Sequence, residues 1–328
     1  MIPRIRFTHL PTPVEALPHL SAALGGPRLF VKRDDQTGLA MGGNKARKLE
    51  FLLAEAQAVG ARTLVTVGAA QSNHCRQVAA LATKYGFDCI LVLSGEPQAL
   101  ASGNLLLDKI FGAEIIWTSR QDREAGLNRA FDEAWAAGRR PYLIPLGGST
   151  GLGALGYEAA FQELLTQDVK PDWIIIASSS GGTQAGLVLG AKRAGWIGKI
   201  LGISIDEPHA HLQGVVASIA NDAAELLGEN QRIKPREVLV NADYLGGGYG
   251  VMGAPEVEAI RMFARTEGLL LDPVYTGRAA AGLIDLSRKG AFKPGETVLF
   301  WHTGGTPALF ADRYSAHLIE KPGSQRPA

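Results

Sequence analysis

Cysteines and long apolar runs are both scarce in this chain of 328 residues. Only Cys75 and Cys89 are present, which is too few for a disulfide framework, and neither has the paired spacing of a zinc site. No apolar run approaches the length of a membrane span, and residues 1–13 contain no apolar core of signal-peptide length. We therefore expect a cytoplasmic protein with reduced thiols and no membrane partner.

A surplus of charge of one sign is also missing. Lysine and arginine total 33 and aspartate and glutamate total 32, which gives a formal net charge of +1. Proteins that bind nucleic acids or membrane surfaces usually carry a basic excess, so we expect neither partner. His209 and His211 have no readable acidic or histidine partner, and we predict no metal site. A small molecule remains as the expected ligand.

What the chain does contain is an alternation of short apolar runs and longer helical patterns. Hydrophobic residues make up 46% of it, enough for a substantial core, and its length suits two domains. Proline-rich residues 1–20 predict an extended arm, glycine-rich residues 145–153 predict a crossing between two lobes, and a polar tail begins at Lys321.

The apolar runs predict strands that helices connect. Strands are predicted at residues 28–31, 63–67, 89–93, 114–117, 142–144, 173–177, 199–205, 238–240, 269–271 and 297–302. Helices are predicted at residues 44–59, 73–86, 103–111 and 121–138, and again between the later strands. Strands joined by such helices run parallel, so the pattern predicts a layered α/β fold.

The stretch around Lys45 indicates chemistry. A charged loop ends at Gly42 and Gly43, and Lys45 opens a helical pattern. A partly desolvated lysine among small residues has a lowered pKa, which makes its amine a nucleophile for a carbonyl, as in Schiff-base formation. The alternative is a tight turn before a helix of solvated lysines. Arg47 and Lys48 are predicted to lie mostly on the helix surface, although Lys48 could meet an anion.

Two loops that follow predicted strands suit anions, because ligands collect at the carboxyl ends of parallel strands. Residues 68–74 bring polar side chains and free amides to a helix start, where they could hold a carboxylate or simply provide an N-cap from Ser72 or Asn73. Residues 178–186 form a nest of small residues suited to a phosphate. The nest lacks a P-loop lysine and the dinucleotide fingerprint, so ATP and NAD are poor candidates.

Two later loops each carry a tyrosine. Tyr249 lies among glycines in residues 245–250, and Tyr275 lies at a predicted helix start. A tyrosine beside a buried cation or cofactor can serve as acid or base, although either could be a packing residue. An activated lysine, an anion nest, a carboxylate site and two tyrosines together suggest pyridoxal phosphate acting on a small amino acid.

Five motifs carry a family resemblance. They are Gly43-Asn44-Lys45-x-Arg47-Lys48, Gln71-Ser72-Asn73-His74, Ser180-Gly181-Gly182-Thr183-x-Ala185-Gly186, Asp272-Pro273-Val274-Tyr275 and His302-Thr303-Gly304-Gly305. In this order, the motifs resemble those of the D-cysteine desulfhydrase and 1-aminocyclopropane-1-carboxylate deaminase family. That family belongs to the fold-type II pyridoxal phosphate enzymes, which have a tryptophan synthase β-like fold.

The resemblance implies a two-lobed, three-layer α/β fold with parallel sheets, assembled as a homodimer. Residues 1–47 and 158–328 would form the large cofactor-binding domain, and residues 48–157 would form the small domain. The active site would lie in the cleft between them.

The resemblance also implies a role for each motif residue. Lys45 would bind the cofactor covalently and move the α-proton of the substrate, while Tyr249 and Tyr275 would flank its reacting end. Asn73 would meet the 3-hydroxyl group of the cofactor. The phosphate would be held by Gly181, Gly182 and Thr183, with Lys48, and the substrate carboxylate by Ser72 with Gln71, Asn73 and His74.

Positions 276 and 303 help to separate the activities of the family. Members that open the cyclopropane ring carry glutamate and leucine there, whereas this chain has Thr276 and Thr303. A carboxylate near the pyridine nitrogen keeps it protonated and deepens the electron sink, and a hydroxyl does so less. The resemblance therefore favours a carbon–sulfur lyase, D-cysteine desulfhydrase.

Three alternatives stay open. They are L-cysteate sulfo-lyase, 1-aminocyclopropane-1-carboxylate deaminase, and a protein that binds cofactor or amino acid without turnover.

Overall fold

Strands and helices alternate along the chain. The computed structural model describes residues 2–230 and 232–319. Within them the strands are β1 (Val14–Ala16), β2 (Arg28–Arg33), β3 (Thr63–Ala69), β4 (Asp88–Ser94), β5 (Glu114–Thr118), β6 (Pro141–Ile144), β7 (Trp173–Ser178), β8 (Lys199–Ser204), β9 (Leu239–Asn241) and β10 (Thr297–His302). The helices are α1 (Pro18–Leu24), α2 (Lys45–Ala58), α3 (Asn73–Tyr85), α4 (Gly103–Ile110), α5 (Arg123–Ala136), α6 (Gly151–Leu165), α7 (Gly182–Arg193), α8 (His209–Leu226), α9 (Ala254–Glu267), α10 (Thr276–Arg288) and α11 (Asp312–Leu318).

The strands form two sheets. A six-stranded sheet has the order β1-β2-β10-β7-β8-β9, and a four-stranded sheet has the order β5-β4-β3-β6. Every pairing is parallel except that of β1 with β2. The predicted α/β architecture with parallel sheets is therefore confirmed. None of the described helices is long and apolar enough to cross a membrane.

Two details differ from the sequence-based prediction, and a third is not tested. Residues 269–271 form no strand, although Leu269 and Leu271 are buried and Leu270 is exposed, because no neighbouring strand pairs with them. The N-terminal arm is not wholly extended, since it contains β1 and the start of α1. The polar tail predicted from Lys321 lies outside the described residues.

Both faces of the six-stranded sheet are buried. Along β7, Ile174 and Ile176 pack with Trp301, whereas Ile175 points to the other face and packs with Phe263 and its neighbours. Side chains alternate between the faces of a strand, so helices on both sides can cover such an apolar strand. This packing makes the strands rigid supports for the loops at their carboxyl ends.

A buried ion pair connects α2 to the six-stranded sheet. Arg47 is predicted from the sequence to lie mostly on the helix surface, but it is fully buried, and its Nε and Nη2 donate to the carboxylate of Asp34 at 3.0 and 2.8 Å. The same carboxylate accepts from Thr12, Tyr157 and Trp301. Burial alone would raise the pKa of Asp34, but the Arg47 charge and the hydrogen bonds lower it, so the carboxylate is ionised at neutral pH.

We expect Asp34→Asn to destabilise the fold by about 3 kcal/mol or more, because the buried cations Arg47 and Lys32 would then share the single carboxylate of Glu163 among the described residues. Urea unfolding would measure the loss. Glu258→Gln is the matched control, since Glu258 pairs with Arg288 at 2.6 Å on the surface, where both side chains are about half exposed. It should cost less than about 1 kcal/mol. Equal losses in the two variants would contradict a special role for the buried pair.

Candidate active site

A cleft opens where the carboxyl ends of strands from both sheets face one another. The space between its lining atoms is about 770 Å³, including solvent at the open mouth. Residues from the loops after β3, β7, β8 and β10 line it, together with Lys45 at the start of α2. Ligands collect at such edges of parallel sheets, so this cleft is the candidate site for a small molecule.

Lys45 points into this cleft from the first turn of α2. Its Nζ donates to Asn44 Oδ1 at 3.1 Å, and Asn44 Nδ2 donates to Thr183 Oγ1 at 2.9 Å, so one amide links the lysine to the loop after β7. Burial lowers the pKa of Lys45 to about 8, with Asp272 opposing and Arg76 adding to the shift. Roughly a tenth to a fifth of the amine is therefore neutral near physiological pH, far more than for an exposed lysine, and this neutral form can act as a nucleophile or base.

The loop after β7 forms a narrow cradle at the start of α7. Gly181 has a φ of +79°, which favours glycine, and α7 begins at Gly182. A side chain at Gly182 would meet Ser149 Oγ at 2.7 Å and Lys48 Nζ at 2.9 Å. Free amides at a helix start and a nearby ammonium suit an anion.

Lys48 lies behind this cradle rather than on the helix surface. Its Nζ donates to Gly147 O at 3.2 Å and Ser149 Oγ at 3.1 Å, and it has no carboxylate partner among the described residues. Burial and the charge of Lys45 place the pKa of Lys48 well below the usual lysine value. A buried cation without a counter-charge is unfavourable, and a bound anion in the cradle would relieve it.

The loop after β3 brings only some of its polar side chains into the cleft. Ser72 caps α3 by accepting from Cys75 N at 3.1 Å, which leaves its hydroxyl proton free. Asn73 Oδ1 accepts from Asn104 Nδ2 at 2.9 Å, so its own Nδ2 remains a donor. Gln71 does not line the cleft, because its amide group binds Ser102 O and Asn104 N.

His74 lines the cleft as a neutral ring. Burial, followed by the charges of Lys45 and Lys48, places its pKa well below the usual histidine value. Thr66 donates its hydroxyl to Ile144 O at 2.7 Å, so Thr66 must accept from His74 Nε2, which lies at 2.9 Å. This assigns the proton to Nε2 and leaves Nδ1 as a bare acceptor with no partner among the described residues. Such a nitrogen cannot donate to a carboxylate.

Tyr249 and Tyr275 meet opposite Lys45. Their hydroxyl oxygens are 2.7 Å apart, and the Lys45 Nζ lies 5.9 Å from the centre of the Tyr275 ring. Burial raises the pKa of both tyrosines, and the charge of Asp206 raises each further. Both hydroxyls are therefore protonated at neutral pH and can donate a proton.

The two threonines singled out from the sequence differ in position. Thr276 is buried away from the cleft, where its hydroxyl donates to Asp272 Oδ1 at 2.8 Å and accepts from Asp272 N at 2.7 Å. Thr303 lines the cleft. Thr276 therefore helps Asp272 to cap α10, and only Thr303 presents a side chain to a ligand.

The chain matches the family model described as pyridoxal-phosphate dependent enzyme over residues 5–304. It belongs to this enzyme family. Among solved structures, an ACC deaminase homologue is 40% identical and has a TM-score of 0.89, with 97% of the present chain and 95% of the other covered.

More distant structures share the fold. An L-serine ammonia-lyase from the fungus Rhizomucor miehei is 20% identical with a TM-score of 0.66, and the match covers 95% of this enzyme and 98% of the other chain. The processed form of threonine deaminase isoform 2 from Solanum lycopersicum is 16% identical with a TM-score of 0.66, and the match covers 93% of this enzyme and 81% of the other chain.

The cleft fits pyridoxal phosphate. The absence of a side chain at Gly182 lets Ser149 Oγ and the uncompensated Lys48 ammonium come close to the start of α7, where a phosphate would be held. The amine of Lys45 can react with the cofactor aldehyde, and Asn73 Nδ2 and Thr303 can meet polar atoms of the ring.

Several residues that the structure brings to this site have no role assigned from the sequence motifs. Asn44 links Lys45 to Thr183, and Ser149 supports the cradle from the loop after β6. Asp206 lines the cleft two residues after β8. Its place at the carboxyl end of a parallel strand was a signal that could have identified it.

We expect Gly182→Asp to weaken retention of the cofactor by a factor of about 100 or more, because the added carboxylate would fill the cradle and repel a phosphate. Release of the cofactor on dilution or dialysis would measure this.

Gly214→Asp is the control, since Gly214 lies in α8 with open space around its missing side chain. It adds the same charge without filling a cradle. Unchanged retention in a folded Gly182→Asp protein would exclude this loop as the phosphate site.

Proposed function

We propose that this enzyme is a carbon–sulfur lyase that eliminates sulfide from D-cysteine and yields pyruvate and ammonia. The observation that carries the proposal is the hydrogen-bonded pair of Tyr249 and Tyr275 beside Lys45, with hydroxyl oxygens 2.7 Å apart. In this arrangement Lys45 can act as a base for the α-proton and a tyrosine can act as an acid for the leaving group, as a β-elimination requires.

Lys45 would bind the cofactor covalently until substrate arrives and then accept the α-proton. Its lowered pKa, about 8, supports both roles, because each needs a neutral amine. When bound, pyridoxal phosphate supplies an electron sink for the negative charge that forms at the α-carbon.

Ser72 and Asn73 would hold the substrate at its carboxylate. The free hydroxyl proton of Ser72 and the amides at the start of α3 are donors, and Asn73 Nδ2 is a donor that either the substrate or the cofactor ring could use. We leave Gln71 and His74 out of this site, because the first is occupied by the loop at residues 102–104 and the second presents an acceptor.

One tyrosine would donate its proton to the departing sulfur. Sulfide leaves more readily when it is protonated, and a general acid contributes about 10²–10⁴ in rate. Tyr275 is our choice for the acid because its ring lies next to Lys45, and Tyr249 would hold its hydroxyl in position.

Thr276 and Thr303 support elimination rather than ring opening, because neither brings a carboxylate to the cleft. Thr276 stands where ring-opening members of the family it resembles carry glutamate, and its hydroxyl binds Asp272, while Thr303 is an uncharged side chain that lines the cleft. Without a carboxylate near the ring nitrogen, the electron sink is less deep. Elimination from an amino acid with an α-hydrogen needs less of that sink than opening a cyclopropane ring.

Gly181, Gly182 and Thr183, with Lys48, would hold the phosphate.

Residues 1–47 and 158–328 would form the large domain and residues 48–157 the small one. This division agrees with the strands that each of the two sheets contains. We also propose a homodimer in the cytoplasm, as the family resemblance implies.

L-Cysteate sulfo-lyase is the second candidate. Arg123 lines the cleft, and its guanidinium donates from Nε to Arg120 O at 3.2 Å but has no carboxylate partner among the described residues. Its remaining donors could bind the sulfonate of L-cysteate.

We expect borohydride to fix the cofactor to Lys45, because that is the lysine with an accessible, partly neutral amine in the cleft. Peptide mapping after reduction would locate the label. The Lys45→Ala protein is the control and should stay unlabelled. A label on Lys48, the nearest competing amine, would exchange the roles proposed for the two lysines.

The unmodified enzyme should release ammonia and a 2-oxo acid from D-cysteine in preference to L-cysteine, L-cysteate, D-serine and 1-aminocyclopropane-1-carboxylate. The 2-oxo acid is pyruvate for the three-carbon substrates and 2-oxobutanoate for the cyclopropane substrate, so both products should be measured. Tyr275→Phe should keep the yellow colour of the bound cofactor and lose about 10²-fold or more in D-cysteine turnover. The loss should be smaller with β-chloro-D-alanine, because chloride needs no proton to leave.

Tyr244→Phe provides the control, since it removes a hydroxyl that binds Asp285 at 2.7 Å away from the cleft. An equal loss on both substrates would refute the acid role of Tyr275. A lack of D-cysteine turnover in the unmodified enzyme would refute the proposed function.

A further inference from the structure

Asp206 lines the cleft and carries a buried, unsatisfied carboxylate oxygen. The residue follows β8, lines the cleft, and is mostly buried, with 12% of its side chain exposed. Its Oδ1 has no hydrogen-bond partner in the part of the chain that the structure describes. A buried acceptor without a donor is unfavourable, so a donor on a bound ligand would be favoured there.

Arg120 holds the other oxygen of this carboxylate from across the cleft mouth. Its Nη2 lies 3.6 Å from Asp206 Oδ2, and its guanidinium carbon lies 5.4 Å from the centre of the Tyr249 ring. Arg120 follows β5 of the four-stranded sheet, whereas Asp206 follows β8 of the six-stranded sheet. The pair therefore joins the two sides of the cleft.

The ion pair leaves much of the Asp206 charge uncompensated inside the cleft. The Arg120 side chain is 55% exposed, and water screens a guanidinium in such a position. The carboxylate, by contrast, is close enough to the tyrosine hydroxyls for its charge to raise the pKa of both Tyr249 and Tyr275. Asp206 thus faces the end of the cleft at which the proposed leaving group departs.

We infer that Asp206 is a specificity-determining residue for the side chain of the substrate. It accepts a hydrogen bond from a neutral thiol or hydroxyl group and repels an anionic side chain such as a sulfonate or carboxylate. Arg120 is the positioning residue that orients it. The inference rests on the proposed function, in which an amino acid binds with its side chain toward Tyr275.

Asp206 and Arg123 have opposite effects on this choice. Arg123 also lines the cleft, and its charge would favour an anionic side chain. Asp206 opposes it at the hydroxyl pair, where the substrate side chain must react. If substrates with neutral side chains bind more tightly than substrates with anionic side chains, the side chain lies near Asp206. The opposite preference places it near Arg123.

D-Serine and D-aspartate are suitable probes, because they differ in whether the side chain is a neutral hydroxyl or a carboxylate. Their dissociation constants can be measured on the cofactor-loaded enzyme from the change in cofactor absorbance immediately after rapid mixing, before turnover. We expect Asp206→Asn to lower the ratio of the dissociation constant of D-aspartate to that of D-serine about tenfold or more. The substitution removes the charge that repels D-aspartate and keeps an amide oxygen that can accept a hydrogen bond from D-serine.

Arg120→Gln should move the same ratio in the opposite direction. Without the guanidinium, the Asp206 charge is fully uncompensated and repels D-aspartate more strongly. Arg129→Gln is the matched control, since Arg129 is exposed on α5 and is not among the residues that line the cleft, and it should leave the ratio unchanged. A variant whose cleft is only structurally disturbed would bind D-serine and D-aspartate more weakly by the same factor, and the ratio of their dissociation constants would not change.

An unchanged ratio in Asp206→Asn would overturn the inference, as would a fall in the ratio with Arg120→Gln. Turnover separates this failure from failure of the proposed function. If the unmodified enzyme binds the probes but does not convert D-cysteine, the proposed reaction is wrong while the ratio still decides the role of Asp206. If it converts D-cysteine but binds neither probe, the role inferred for Asp206 fails while the proposed function stands.

Discussion

The buried ion pair between Asp34 and Arg47 determines where the reactive lysine lies. Asp34 directly follows β2, and Arg47 is two residues beyond Lys45 in α2. Hydrogen bonds from Tyr157 and Trp301 bring α6 and β10 to the same carboxylate. Separating an ion pair that is buried away from water costs much free energy, so the pair fixes the first turn of α2 relative to the six-stranded sheet. Because Lys45 lies in that turn, the pair also fixes the position of its amine.

The cleft concentrates positive charge that the protein itself does not neutralise. Burial lowers the pKa of Lys45, Lys48 and Arg76. The nearby carboxylate of Asp272 is occupied by the backbone amides at the start of α10. A phosphate in the cradle and a substrate carboxylate near Ser72 would each supply missing negative charge. Ligand binding should therefore also stabilise the fold, because it relieves cations that folding has desolvated.

The sequence could predict the strands and the loops around the site because these depend on patterns within short stretches. Residues 269–271 show the limit of such patterns. Leu269 and Leu271 are buried and Leu270 is exposed, which is the alternation of a strand, yet no strand pairs with them. Gln71 shows the same limit for side chains, since its amide binds a distant loop around Asn104. An alternation of buried and exposed residues in the sequence indicates which side chains are buried, whereas the pairing of strands depends on segments that are distant in the sequence.

The sequence by itself determined membership of the pyridoxal-phosphate dependent enzymes and the α/β fold, and it predicted a lysine at the ligand site, because glycines, small residues and motif order act through the local backbone. Only the tertiary structure decided which polar groups remain free. Thr276 and Gln71 are used internally, Nδ1 of His74 is an acceptor, and Asp206 keeps a buried oxygen without a partner among the described residues. The physical reason is that a hydrogen bond or ion pair needs both partners, and the partners that occupy or spare these groups come from distant parts of the chain.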